Sequence, residues 1–269
     1  MVNAVVAGAA GRMGGRIIQM IQESEEVKLW GAFEKSGHPA IGQDVGDIAG
    51  LGKTGITLAG DISEVMNHGD VLIDFTTPES TLANIKHIAR TGQAMVIGTT
   101  GITGEHEKEL NQLAQGIRCV KSPNMSVGVN VLFKVVENVS RILGQDYDME
   151  VTEAHHRLKK DAPSGTAMHL ARILADATGR NLDTDVTYER RGFIGVRRAE
   201  EIGIQSIRAG DIVGEHTVMF AGPGERVEIT HRAHSRDNFA RGALLAAAWV
   251  VNQPNGLYDM QDVLGLREG

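Results

Sequence analysis

Residues 2–24 read VNAVVAGAAGRMGGRIIQMIQES, and this stretch decides the fold. VNAVVA (2–7) is a short β-type run, Gly8, Gly11 and Gly14 punctuate residues 8–14, and Ile17, Ile18 and Ile21 then fall at helical spacing. The segment reads as strand, glycine turn, helix. Working outward, VKLWGAF (27–33) is a second strand ending at Glu34, and VLIDF (71–75) has the composition of a buried strand. Thr77-Pro78-Glu79 is a helix start for a segment running to Gly92. AMVIG (94–98) leads into Thr99-Thr100-Gly101, and Glu105 to Gln115 reads as a further helix. Strands alternating with helices through about residue 120 imply an α/β fold with a doubly wound parallel sheet.

The pattern then changes. From Tyr147 onward, YDMEVTEA, GIQSIRA, EHTVMF and RVEITHR are strand-like runs separated by turns, with one helix over 165–178 closed by Gly179. This is an α+β pattern with a mainly antiparallel or mixed sheet. Pro123 to Asn130 carries the crossing. The apolar tail FARGALLAAAWVV, from Phe239, reads as a helix that packs back on the first domain. The domains expected are 1–126, completed by a C-terminal helix over 236–269, and 127–235, the substrate-binding domain. No internal repeat or low-complexity segment occurs.

Composition narrows the function. Of 269 residues, 27 are basic and 34 acidic, and aromatics make up 4%, which argues against nucleic acid, for which a basic surface and stacking platforms are needed. No apolar run approaches the roughly 18 residues that span a bilayer. The N-terminus enters a strand almost at once, which leaves no room for a targeting peptide. One cysteine, Cys119 in IRCVKS, excludes an intramolecular disulfide and reads as a buried structural thiol of a reducing compartment. The expectation is a cytoplasmic enzyme or binding protein.

The glycine turn suits a pyrophosphate, which needs backbone N–H donors and no side-chain bulk at a strand-to-helix turn. The spacing Gly8, Gly11, Gly14 departs from GxGxxG, so the context carries the reading. Glu34 lies 20 positions beyond Gly14 at the end of the second strand, where a carboxylate binds ribose hydroxyls. Glu34 favours NADH, because its charge repels a 2′-phosphate. Lys35 beside it can pair with that phosphate, so the reading is NADH with NADPH tolerated. Gly98-Thr99-Thr100-Gly101 and Ser122 to Met125 sit at carboxyl ends of strands, where open α/β sheets bind ligands.

The segment EAHHRLKKDAPSGTA (153–167) concentrates two histidines, further cations and a Pro-Ser-Gly-Thr turn in an otherwise acidic chain. Such a loop suits a small, multiply charged anion. Hydride addition from a nicotinamide puts negative charge on the acceptor, so a proton donor or fixed cation must stand close to it. His155 and His156 are neighbours on an extended segment and point to opposite faces, so one can donate a proton while the other grips a carboxylate. Lys159 is a second donor candidate if Arg157 and Lys160 disfavour its charge. Ser164-Gly165-Thr166 open a helix whose N–H groups suit a carboxylate, although Ser164 also reads as a plain N-cap and His169 as a helix-surface residue. A metal is not expected: adjacent histidines seldom ligate one ion, HExxH is absent and lysines crowd the place.

EAHHRLKKDAPSGTA closely resembles a motif of the 4-hydroxy-tetrahydrodipicolinate reductase (dihydrodipicolinate reductase) family. VAGAAGRMG, IGTTG, SPNMSVGVN, AGDIVGEHTVMFAGPGERVEITHRAHSR and FARGALLAAAW resemble the same family in the same order. The resemblance implies a Rossmann-like nucleotide domain and reduction of a cyclic imine dicarboxylate by NADH or NADPH with loss of water, in lysine and diaminopimelate synthesis. It puts the proton donor at His155, a second donor at Lys159, and substrate contacts at His156, Gly165 and Thr166. It puts cofactor contacts at Gly8, Ala9, Ala10, Gly11, Arg12, Met13, Glu34, Lys35, Gly98, Thr99, Thr100, Ser122, Pro123, Asn124 and Met125. A homotetramer is implied as well, with 127–235 as the substrate-binding and tetramerisation domain. The position after Glu34 is often arginine in relatives using both cofactors; Lys35 lacks the bidentate fork, which leaves the NADPH preference open. Two readings stand beside this one: a nicotinamide reductase of another dicarboxylate, and a non-catalytic dinucleotide sensor.

Overall fold

A computed structural model describes residues 1–267, which form two compact units, 1–127 with 237–267 and 128–236. In the first unit β1 (Val2–Ala7), α1 (Arg12–Gln22), β2 (Val27–Phe33), α2 (Val45–Ala49), β3 (Val71–Asp74), α3 (Pro78–Thr91), β4 (Ala94–Ile97), α4 (Gly104–Gln115) and β5 (Arg118–Lys121) come in order. The chain leaves through α5 (Val127–Leu143) into the second unit, built of β6 (Asp148–His155), α6 (Gly165–Thr178), β7 (Val186–Thr187), β8 (Ile202–Arg208), β9 (Gly214–Gly222) and β10 (Glu225–Ala233). It returns as α7 (Asp237–Val250), β11 (Gly256–Tyr258) and α8 (Met260–Val263).

The first sheet is six-stranded and wholly parallel, in the order β11-β5-β4-β3-β1-β2. The order reverses beside β1, the position where doubly wound sheets hold ligands. β3 and β4 are buried along their whole length, as strands covered on both faces must be. On one side α7 lays Ala240, Ala243, Ala246, Ala247 and Val250 into the core that also holds Ile17, Ile18, Val71 and Val96. Small residues on α7 allow close approach: a Cβ on Gly242 would lie 1.7 Å from the Met125 carbonyl oxygen. The terminal segment is not one helix over 236–269. Helix α7 ends at Val250, and past Pro254 the chain forms β11, which extends the sheet beside β5.

The second sheet has the order β10-β9-β6-β8-β7. It is mixed: β10–β9 and β9–β6 run antiparallel, whereas β6–β8 and β8–β7 run parallel. The parallel half depends on α6, which supplies a crossover between β6 and β7 where a hairpin turn cannot. One face of this sheet packs on α5 and α6 through Val129, Val136, Met149, Val151, Leu170, Leu174, Val218 and Phe220.

Candidate active site

In the first unit the glycine turn is shaped by absent side chains. Gly8 has φ +64°, and a Cβ there would stand 2.8 Å from Thr76 Cγ2. A Cβ on Gly14 would stand 2.2 Å from the Gly8 carbonyl oxygen, so only glycine lets α1 pack this close to β1. Gly11 is the N-cap of α1 with no side-chain cap, which leaves the first turn facing outward without a protein acceptor of that kind. The Ala10 N–H donates to Glu34 Oε1 at 3.2 Å, which sets the carboxylate at the end of β2 beside the turn. Gly8, Gly11, Glu34 and Lys35 line one cleft of about 600 Å³, together with Phe75 and Thr76. Ala9 is buried, whereas Arg12 is exposed and Met13 partly so at the start of α1.

Thr99, Thr100, Ser122 and Pro123 line a second cleft of about 490 Å³ in the same unit. A Cβ on Gly98 would strike the Phe75 ring at 2.2 Å. Thr99 is buried and its hydroxyl turns inward: it accepts the Thr76 N–H at 3.0 Å and the Thr81 hydroxyl at 2.8 Å around the buried Asp74 carboxylate. That hydroxyl is therefore committed to the protein, and what this turn offers a ligand is Thr100 and backbone. Ser122 Oγ donates to the Asn124 carbonyl and Asn124 Oδ1 accepts the Ser126 N–H, which folds the segment back on itself ahead of the buried Met125. Such clefts, bulk-free turns and a carboxylate suit a dinucleotide. Cys119, wholly buried, has its thiol pushed up to about 12 by burial, which makes it inert.

In the second unit Met149, Val151, Glu153 and His155 alternate onto the buried face of β6. Glu153 is fully buried. Its Oε1 accepts the Ser164 N–H at 3.1 Å and Arg208 Nη2 at 2.7 Å, and its Oε2 faces Arg208 Nη1 at 2.8 Å and His155 Nδ1 at 2.5 Å. Burial pushes this carboxyl up, yet hydrogen bonds from Arg208, Ser206 and His155 outweigh it and hold it at about 2. The proton affinity of His155 is below the ordinary histidine range: burial lowers it, Glu153 opposes, and the charges of Lys159 and Arg208 add to the lowering. His216 on β9 stands edge-on to His155 with ring centroids 5.2 Å apart, and burial pushes it down to about 3. Its Nε2 meets the Ser164 hydroxyl at 3.1 Å.

Ser164 caps α6 by accepting the Ala167 N–H, and Gly165 and Thr166 form the first helical positions. His156 is half-buried with an Nδ1 that has no protein partner among the described residues. Lys159 meets both Asp161 oxygens at 2.9 Å, so its neighbour is an anion rather than the cations the sequence suggested. Arg157 and Lys160 are exposed, and His169 sits on the surface of α6 against Phe133. Among the described residues no cluster of three or more His, Cys, Asp or Glu side chains could hold a metal ion, and no helix is long and apolar enough to cross a membrane.

Two family models cover the chain: "Dihydrodipicolinate reductase, N-terminus" matches residues 2–125 and "Dihydrodipicolinate reductase, C-terminus" matches 128–264. The chain belongs to the dihydrodipicolinate reductase family. Family members named 4-hydroxy-tetrahydrodipicolinate reductase from Syntrophobacter fumaroxidans and Syntrophus aciditrophicus are 57% and 53% identical to it, each covering 99% of this chain and 100% of the relative. The solved dipicolinate-bound dihydrodipicolinate reductase of Paenisporosarcina sp. TG-14 shares its fold, with a TM-score of 0.74 over 97% of this chain and 98% of that one at 22% identity.

Sequence reasoning located the loop of this reductase and missed its partners. Arg208 lies 55 positions beyond Glu153, and His216 lies 52 beyond Ser164. Sheet register alone unites them: Glu153 pairs with His216, and His155 with Arg208. A signal existed in the alternation of β9, where His216 shares the buried face with Val218 and Phe220.

Proposed function

We propose roles for these residues in the family reaction. The chain is a nicotinamide-dependent oxidoreductase that reduces 4-hydroxy-tetrahydrodipicolinate to tetrahydrodipicolinate with loss of water, in lysine and diaminopimelate biosynthesis. The observation that carries this is the full-length match at 57% identity.

The turn from Gly8 to Met13 holds the pyrophosphate, with the backbone N–H groups and the start of α1 as donors. Glu34 takes the adenosine ribose hydroxyls and Lys35 stands where a 2′-phosphate would come, so both NADH and NADPH are used, NADH at least as well. Gly98 to Thr100 and Ser122 to Met125 hold the nicotinamide end. The bound cofactor supplies hydride. The reaction also consumes a proton, and that proton comes from this chain. His155 delivers it from Nε2, the nitrogen that faces away from Glu153, and Lys159 is the second donor and a fixed positive charge. His156 and the Gly165–Thr166 start of α6 grip the substrate carboxylates, the helix end adding its partial positive charge. A dianionic substrate beside His155 counters the burial that lowers its proton affinity, so the donor is charged most readily once substrate is present. The resemblance also carries a cytoplasmic homotetramer, whose assembly light scattering on the purified protein checks.

The direct test is absorbance at the nicotinamide band with substrate generated in situ. Rapid loss of NADH absorbance is expected; no turnover with either cofactor would sink the assignment.

A further inference from the structure

We propose that Glu153 is a positioning residue that sets both the proton donor and the substrate-binding end of α6 from one carboxylate, and that Gly214 keeps the donor nitrogen uncovered. The proposal rests on the reading of His155 as a donor. Glu153 and His155 are two apart on β6 and share its buried face. With Oε2 at 2.5 Å from His155 Nδ1, the carboxylate fixes that nitrogen as the N–H donor and leaves Nε2 to exchange a proton. Gly214 opposite has no side chain to cover it: a Cβ there would lie 3.1 Å from Nε2. The other carboxylate oxygen takes the Ser164 N–H, so the residue that caps α6 is tied to the same group. His216 closes the arrangement from β9 by meeting the Ser164 hydroxyl. A shift of Glu153 therefore displaces the donor and the carboxylate grip together.

The groups facing His155 are Glu153 from its own strand, Lys159 from the loop after it, Arg208 from β8 and His216 from β9. Of these only Glu153 favours a proton on the ring. Removing its charge leaves two cations and a neutral ring, which disfavour the imidazolium.

The test is Glu153→Gln, which keeps the shape and removes the charge. A fall in kcat of about tenfold to a hundredfold is expected, as for loss of a group that orients a functional histidine, by analogy with the hydrogen-bond partners of metal-ligating histidines. The Kd for NADH, read by fluorescence, stays at the wild-type value, and the descending limb of kcat/KM moves to lower pH. ¹⁵N spectra of the imidazoles show the Nδ1–H tautomer of His155 in wild type and a tautomer mixture in the variant. A purely structural ion pair would lower stability and leave the pH limb and the tautomer where they were, which overturns the proposal. A neutral wild-type His155 that carries its single proton on Nε2 overturns it too, without any variant having to fold. Absence of wild-type turnover would instead remove the functional reading and leave the tautomer result standing.

Discussion

The two sites are made from opposite materials. The glycine turn of the first unit is backbone and empty space: Gly8 and Gly14 matter because a Cβ has nowhere to go. The loop of the second unit is side chains and buried charge: Glu153, fully desolvated, holds Arg208, His155 and the start of α6. A backbone site tolerates little change in shape, whereas a side-chain site tolerates shape better than it tolerates a change of charge or proton.

Substitution at Gly14 should give the largest effect. Gly14→Val puts a Cβ 2.2 Å from one backbone oxygen and 2.7 Å from the Ala9 Cα, neither of which can turn aside. A loss of about 3 kcal/mol or more is expected, as for severe overpacking, seen as a lowered midpoint in urea. A wild-type midpoint would break the claim that empty space builds this turn.

The charged site should answer to pH. Glu153 titrates at about 2 in the fold against 4.5 as its ordinary value, so the unfolded chain takes up its proton first as pH falls. Its contribution is complete above 4.5 and lost between there and about 2; the span corresponds to roughly 3 kcal/mol. Urea midpoints across this window should drop more steeply in wild type than in Glu153→Gln. Parallel curves would mean the carboxylate is not held as the structure has it.

His155→Gln and Lys159→Ala should each lower kcat by about 10²-fold or more, the usual scale of a lost proton donor. In wild type, kcat/KM should fall as pH rises through a value below 6.5, the direction that the burial of His155 imposes. A flat profile across that range would transfer the donation to Lys159. Smaller still, Glu34→Ala should weaken NADH about tenfold more than NADPH, since a charge-assisted contact to the ribose is worth roughly 1.5 kcal/mol. Equal losses would mean that Glu34 does not touch the ribose. The least effect falls at Gly165→Ala, whose Cβ meets open space: stability should not change, and any rise in substrate KM then measures how closely the ligand approaches.

The same contrast explains how much of the molecule is legible in its sequence. The glycine turn and Glu34 are legible because their positions are local and their spacing encodes the backbone. Thr99 falls at the expected strand end, yet its hydroxyl serves Asp74 and Thr76, a commitment that needs α3 and β3 in position. Helix α5 does not separate from the crossing segment Pro123 to Asn130 in the sequence, because its first turn, from Val127, lies inside that segment. β11 is three residues long, too short for alternation to show, and depends on β5 for its partner. Arg208 and His216 require the register of β6 with β8 and β9, which no local pattern records.

The division of labour is the central claim: the first unit binds the nucleotide and the loop of the second supplies the protons. Titrating NADH into wild type and into the double variant His155→Gln/Lys159→Ala, then adding substrate and tracking the nicotinamide absorbance, tests it most directly. The account predicts one Kd for NADH in both proteins and decay of absorbance in wild type alone. Loss of NADH binding in the variant, or decay at the wild-type rate, would contradict it.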